Sequence, residues 1–132
     1  MDQQRWACRG ARGAITTVGS TDDAIEDATK TLLEGLVAAN DCPLEEIAAA
    51  IFTVPDELAG CNPSAAARKH GWSGVPLLTV REQAGDSPVD RCLRVLLLLN
   101  TTRAQHEIRH LYLGDAAVLR PDLSSTPIGA ET

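Results

Sequence analysis

Arg94 lies within Cys92-Leu93-Arg94-Val95-Leu96-Leu97-Leu98-Leu99, an apolar run whose length and flanks predict a strand largely buried on both faces. A guanidinium stays charged in such a setting and requires an anion. The same chain offers Arg12 in Arg9-Gly10-Ala11-Arg12-Gly13, Glu82 at the end of Val75-Pro76-Leu77-Leu78-Thr79-Val80-Arg81-Glu82, and Tyr112 in Ile108-Arg109-His110-Leu111-Tyr112-Leu113. A cation, a carboxylate and a phenol in addition to Arg94 suit a polar pocket for a small dianion. Each also has a plainer reading: a structural ion pair for Arg94, an exposed strand charge for Arg12, a solvated Arg81/Glu82 pair, and a core Tyr112. Period two puts Arg94 on the face of Cys92 and Leu96 and sends Arg81 and Glu82 to opposite sides.

Other chemistries lack their signatures. His106 and His110 have i, i+4 spacing, but the region reads as strand and no third ligand is near, so no metal is expected. Neither an elbow around a nucleophile, nor a phosphate loop, nor a dinucleotide fingerprint occurs, and no cofactor is expected. What remains suits catalysis by positioning and electrostatics.

At 132 residues the chain is read as one domain without a linker, small enough that association with its own copies is a natural way to bury more surface. The net charge of −6 argues against a nucleic-acid partner. Ten of the twelve cations are Arg, with only Lys30 and Lys69 otherwise, a bias that high-GC coding explains as well as selection for bidentate carboxylate contacts. Cys8, Cys42, Cys61 and Cys92 show no CxxC spacing, and the first residues lack the apolar stretch of a signal peptide, so reduced thiols and a cytoplasmic protein are expected. No run approaches the roughly 18 apolar residues of a membrane span, so no membrane partner is expected.

The elements that must position these residues follow from pattern. Arg5 to Val18 reads as a strand in which Gly10 and Gly13 mark close backbone approach or a bulge. Ser20-Thr21-Asp22-Asp23 starts a helix with Ser20 as N-cap and Asp23 at the capping-box position, followed by a stripe of Ile25, Ala28, Leu32, Leu33, Leu36 and Val37 and a stop near Asn40. Pro43 to Glu46 suggests a helical turn, and Ile47 to Val54 a second strand halted at Pro55. Asn62-Pro63-Ser64 opens a short helix through Lys69, closed by Gly71. Val75 to Arg81, Arg91 to Asn100 and Ile108 to Leu113 are the third, fourth and fifth strands, the fourth being the most apolar and hence central. Ala116 to Leu119 follows, and residues 124–132 read as a fraying tail. The expected class is α+β, a mixed five-stranded sheet with helices on one side.

The blocks Arg9-Gly10-Ala11-Arg12-Gly13-Ala14, Val75-Pro76-Leu77-Leu78 leading to Glu82, Cys92-Leu93-Arg94-Val95, Ile108-Arg109-His110-Leu111-Tyr112-Leu113 and Val118-Leu119-Arg120-Pro121-Asp122-Leu123 occur in order. In these the chain, from about Arg5 to Leu123, resembles the AroH-type monofunctional chorismate mutases. The resemblance implies a homotrimer of pseudo-α/β-barrel architecture with active sites between subunits. It also implies the pericyclic Claisen rearrangement of chorismate to prephenate, without a covalent intermediate. By the same resemblance Arg94 and Glu82 are the catalytic pair, Arg94 donating to the ether oxygen and Glu82 accepting from the ring hydroxyl. Arg12 and Tyr112 hold substrate carboxylates, Leu78 and Thr79 line the site, and Arg68 and Arg120 are peripheral cations. Two departures stand out: Asn62 replaces an aromatic wall, and Thr79, where the family often has Cys, is expected to leave a hydroxyl beside Glu82. The stretch Ile15-Thr16-Thr17 also reads as one residue longer than usual. The competing expectations are an isomerase acting on another chorismate-derived diacid and a non-catalytic, metabolite-binding trimer.

Overall fold

The computed structural model describes residues 5–83 and 88–119. Five strands, β1 (Ala7–Thr16), β2 (Ile47–Val54), β3 (Leu77–Arg81), β4 (Cys92–Thr101) and β5 (Leu111–Leu113), form one sheet in the order β3-β2-β4-β1-β5. The outer pairs β2/β3 and β1/β5 are parallel, and the inner pairs β2/β4 and β4/β1 are antiparallel. The apolar fourth strand is central, as its composition predicts. Helices α1 (Asp22–Asn40) and α2 (Pro63–Ala67) cover one face. Among the described residues no helix is long and apolar enough to cross a membrane.

Burial corrects the picture of β4. Leu93, Val95, Leu97 and Leu99 are buried, but Arg94, Leu96 and Leu98 on the other face are only half-buried. The continuous apolar run thus belongs to a sheet with one face under helices and one open, and the leucines of the open face mask the alternation. The main core lies between α1 and the sheet, where Ile25, Leu32, Leu33 and Leu36 meet Phe52, Val95 and Leu97. On the open face Ala14, Cys92, Tyr112 and Ala116 form a second, smaller cluster beneath the turn Gly114–Val118.

Helix α1 starts one residue later than its sequence pattern suggests. Thr21, not Ser20, is the N-cap; its hydroxyl accepts from the Ala24 N–H at 3.1 Å, with Asp22 and Asp23 in the first turn. The β1/β4 register runs unbroken from Ala7↔Thr101 to Thr16↔Cys92, so Gly10 and Gly13 create no bulge; the irregularity lies in β2 between Ile47 and Ala49. Gly13 serves close approach instead, since a Cβ there would stand 2.6 Å from Leu36 Cδ1 and 3.1 Å from Leu32 Cδ1.

The fifth strand is shorter than the sequence suggests because the chain before it pairs with side chains rather than with a strand. Asn40, buried at the end of α1, accepts from the Arg109 N–H at 2.8 Å through Oδ1, while its Nδ2 donates to Arg109 O and to Leu36 O, each at 3.0 Å. On the outer edge of β1, Gln105 takes the place of a neighbouring strand: its Oε1 accepts from Gly10 N at 3.0 Å and its Nε2 donates to Gly10 O at 2.7 Å. The Asn40 bonds decide where β5 sits. Asn40→Ala is expected to lower stability by about 1–3 kcal/mol, the scale of several lost hydrogen bonds around a buried amide. Urea unfolding checks this, with a lower midpoint and an unchanged slope as the expected result.

Candidate active site

Two rows of cross-strand neighbours carry the polar residues of the open face. The first runs Val80, Thr53, Arg94, Ala14, Tyr112 across all five strands; the second runs Leu78, Ile51, Leu96, Arg12. Arg12 and Arg94 are therefore diagonal neighbours on one face, about 7–8 Å apart at the backbone. Tyr112 lies two strands from Arg94, about 10 Å away. Four expected site residues, Arg12, Arg94, Tyr112 and Leu78, thus share the face that the helices leave uncovered.

Glu82 joins them by extending the β3 ladder, its N–H donating to Val54 O at 2.8 Å. Its Oε1 lies 3.4 Å from Arg94 Nε, and Thr53 Oγ1 donates to the same oxygen at 3.5 Å. Strand alternation sends Arg81 the other way, to Asp56 at 3.6 Å. The Arg94 side chain is 38% exposed, yet its Nε is sealed from water without a hydrogen bond, because Glu82 is within ion-pair distance but outside hydrogen-bond geometry. Among the described residues the exposed Arg12 guanidinium and the Tyr112 hydroxyl have no hydrogen-bond partner. Thr53 was not singled out by sequence, although alternation from the buried Phe52 places it on the face of Arg94.

Three expected site residues lie on the helix side instead. Thr79 pairs with Phe52 in the core-facing row, and its hydroxyl shares a 2.6 Å hydrogen bond with Ser64 of α2. The hydroxyl beside Glu82 is that of Thr53, not Thr79. Asn62 is the N-cap of α2, its Oδ1 accepting from Ala65 N at 3.0 Å, and it lines a cavity of about 290 Å³ with Asp22, Glu26 and Lys69. Asn62 caps α2, so Asn62→Phe removes a cap worth about 1 kcal/mol. Arg68 is exposed at the end of α2, where the chain widens into a π turn, Arg68–Trp72, closed by Gly71 at φ +99°. Glu26 of α1 clamps the following two residues, at 3.1 Å from Lys69 Nζ and 2.9 Å from His70 Nε2, and these hydrogen bonds hold its carboxyl below its ordinary value. Arg120 and the tail 124–132 lie outside the described residues. Among the described residues no three His, Cys, Asp or Glu side chains converge as a metal site.

The fold and this face define the class of protein. The family model for chorismate mutase type I matches residues 8–123. Chorismate mutase AroH of Thermus thermophilus is 47% identical over 118 residues, covering 89% of this chain and 97% of that protein. Chorismate mutase AroH of Bacillus subtilis is 35% identical over 119 residues, covering 89% and 94%. Among solved structures, a chorismate mutase from Clostridium thermocellum superposes with a TM-score of 0.79 at 33% identity, covering 83% of this chain and 97% of that one. The chain belongs to the chorismate mutase type I family.

Cys92, two residues from Arg94, is the most protected thiol of the site. Burial pushes it up to about 11 against an ordinary 9.0, with the charge of Arg94 opposing the rise. Folding therefore favours its protonated form, and this contribution to stability is present below pH 9 and is lost as pH rises toward 11. Cys92 is therefore held as the buried thiol at neutral pH, while Cys8 is exposed. Iodoacetamide followed by mass spectrometry is expected to label Cys8 in the folded protein and Cys92 only after denaturation; equal labelling of both in the folded state would contradict the burial.

Proposed function

We propose that this chain rearranges chorismate to prephenate on the polar patch of its open sheet face, in a cleft completed by neighbouring copies of itself. The protein is a chorismate mutase, an isomerase by reaction class. The observation that carries the reading is the placement of Arg94 and Glu82, 3.4 Å apart on the face that also holds Arg12 and Tyr112.

The reaction breaks an ether C–O bond while a C–C bond forms in the same molecule. It calls for no nucleophile and no cofactor, only a held conformation and a field matched to the shifting charge. Arg12 and Tyr112 bind carboxylates of the dianion and hold it in the compact reactive conformer, which removes the entropic barrier to reaching that geometry. Arg94 donates to the ether oxygen as negative charge grows there, so its contribution is larger in the transition state than in the bound substrate. Glu82 accepts from the ring hydroxyl and keeps the Arg94 guanidinium oriented, with Thr53 donating to the carboxylate oxygen that faces Arg94. Leu78 supplies an apolar border to the same face.

A homotrimer of pseudo-α/β-barrel form, with sites between subunits, is supported by two features of the single chain. Its open face leaves Leu78 55% and Val80 38% exposed beside the half-buried Ile51, Leu96 and Leu98, an apolar surface suited to a partner. Arg68, exposed at the end of α2, also stands on the opposite side of the sheet from Arg94, and a second copy offers the means for such a cation to reach the same ligand. Arg120 is assigned the same peripheral role. The cytoplasm is the proposed compartment, in keeping with four free cysteines. Among the described residues, nothing on the open face favours a different diacid or a non-catalytic trimer.

Two outcomes test this reading. Arg94→Ala is expected to lower kcat for chorismate, followed by its ultraviolet loss, by about 10² to 10³ while weak binding of a bicyclic diacid mimic persists. Retention of more than about a tenth of wild-type kcat would exclude the assigned role. Sedimentation is expected to report about three times 14.0 kDa, and a fully active monomer at low concentration would overturn the shared cleft.

A further inference from the structure

His110 takes no part in the rearrangement, yet its ring makes a direct contact with the strand that carries Arg12. Its Nδ1 lies 2.9 Å from the backbone N–H of Arg12 and accepts from it. Backbone pairing between β1 and β5 begins one step further on, at Gly13↔Leu111. The imidazole thus stands where the next rung of the parallel ladder would place a carbonyl, and it ends the β1 edge at the residue whose side chain faces the open patch.

The ring is itself well anchored. Its neighbour Arg109 is held on both its N–H and its carbonyl by Asn40 at the end of α1. Leu111 on the other side is buried in the main core. Behind Arg12, Gly13 is pressed onto Leu36 and Leu32 of the same helix, and Gly10 is fixed by Gln105. The backbone of Arg12 is therefore held from the core side by α1 and at its edge by an imidazole that the same helix positions through Asn40 and Arg109.

We propose that His110 is a positioning residue for Arg12: a neutral imidazole with its proton on Nε2 accepts the Arg12 N–H through Nδ1. It thereby fixes the point from which the Arg12 guanidinium reaches a substrate carboxylate. The role rests on the chorismate reading of the open face. An imidazolium has no free lone pair and would turn a second N–H toward the first, so the contact requires this one tautomer. A long flexible guanidinium makes a productive carboxylate contact only if its origin is fixed, so loss of the anchor acts on substrate binding more than on the chemical step.

The test combines NMR of the wild-type protein labelled with ¹⁵N at histidine with steady-state kinetics on chorismate. The His110→Asn spectrum identifies the resonances of His110 among those of the three histidines. Nδ1 is expected to be unprotonated and Nε2 protonated; a proton on Nδ1 overturns the proposal whatever the kinetics show. His110→Phe keeps an aromatic ring but no acceptor and is expected to raise KM about tenfold with kcat within about twofold. His110→Asn, whose Oδ1 falls close to the position of Nδ1, is expected to recover most of that loss. His110→Gln carries its acceptor one bond further out; it is expected to behave like Phe and serves in its place if the Phe variant does not fold. A wild-type KM in both Phe and Gln variants, or equal impairment in Asn and Gln, overturns the anchoring role. Wild-type protein that leaves chorismate unchanged, with the tautomer as expected, overturns the chorismate reading instead and leaves the backbone contact standing.

Discussion

A single buried amide sets the geometry on which the open face depends. Asn40 ends α1, and through Arg109 it fixes the entry to β5, which then pairs with β1 for only three residues. A three-residue strand has too few ladder bonds to hold its place unaided, so the helix end defines it. Tyr112 and His110 inherit their positions from that contact. The main core supplies most of the apolar burial, but it is this polar joint that sets the register of the last strand.

The face that results separates support from chemistry. The side chains that fill the main core point toward α1 and α2, and the opposite face carries the Arg94–Glu82 ion pair, two polar groups left for a ligand, and the leucines that border them. An ion pair of this exposure contributes little to stability, on the order of 1 kcal/mol or less. The value of Arg94 and Glu82 lies in a fixed field, because neither side chain has to reorganise when charge shifts along a bound ether. Cys92 and Ala14, packed around Tyr112, hold the backbone of that patch without adding competing charge.

Much of this was legible from residue order because local physics and tertiary packing agree. The β2 bounds, the length of α1, the central place of β4 and the divergence of Arg81 from Glu82 all follow from period and punctuation. Where reading failed, a long-range partner had overridden the local signal. The leucines of β4 hid an alternation that only the placement of the helices reveals. The strand expected from Ile108 gave up its first residues to Asn40, 69 positions away. Thr79 looked like a neighbour of Glu82 because it is near in sequence, but strand alternation turns it toward Ser64. The start of α2 was legible, since Asn62 with Pro63 next in the chain is an ordinary N-cap signature. Thr53 had no local signal beyond its parity in β2.

The Gln105 amide on Gly10 has a consequence for how copies of the chain meet. An unpaired strand edge is a template for any other strand, and here the donor and acceptor that an incoming backbone would seek are already occupied by a side chain. His110 blocks the next available donor on the same edge. Lateral growth into an open-ended ribbon is thereby closed off at this edge of β1. What remains for self-association there is contact through side chains across sheet surfaces, a mode that can close on itself into a finite particle instead of propagating into a fibre.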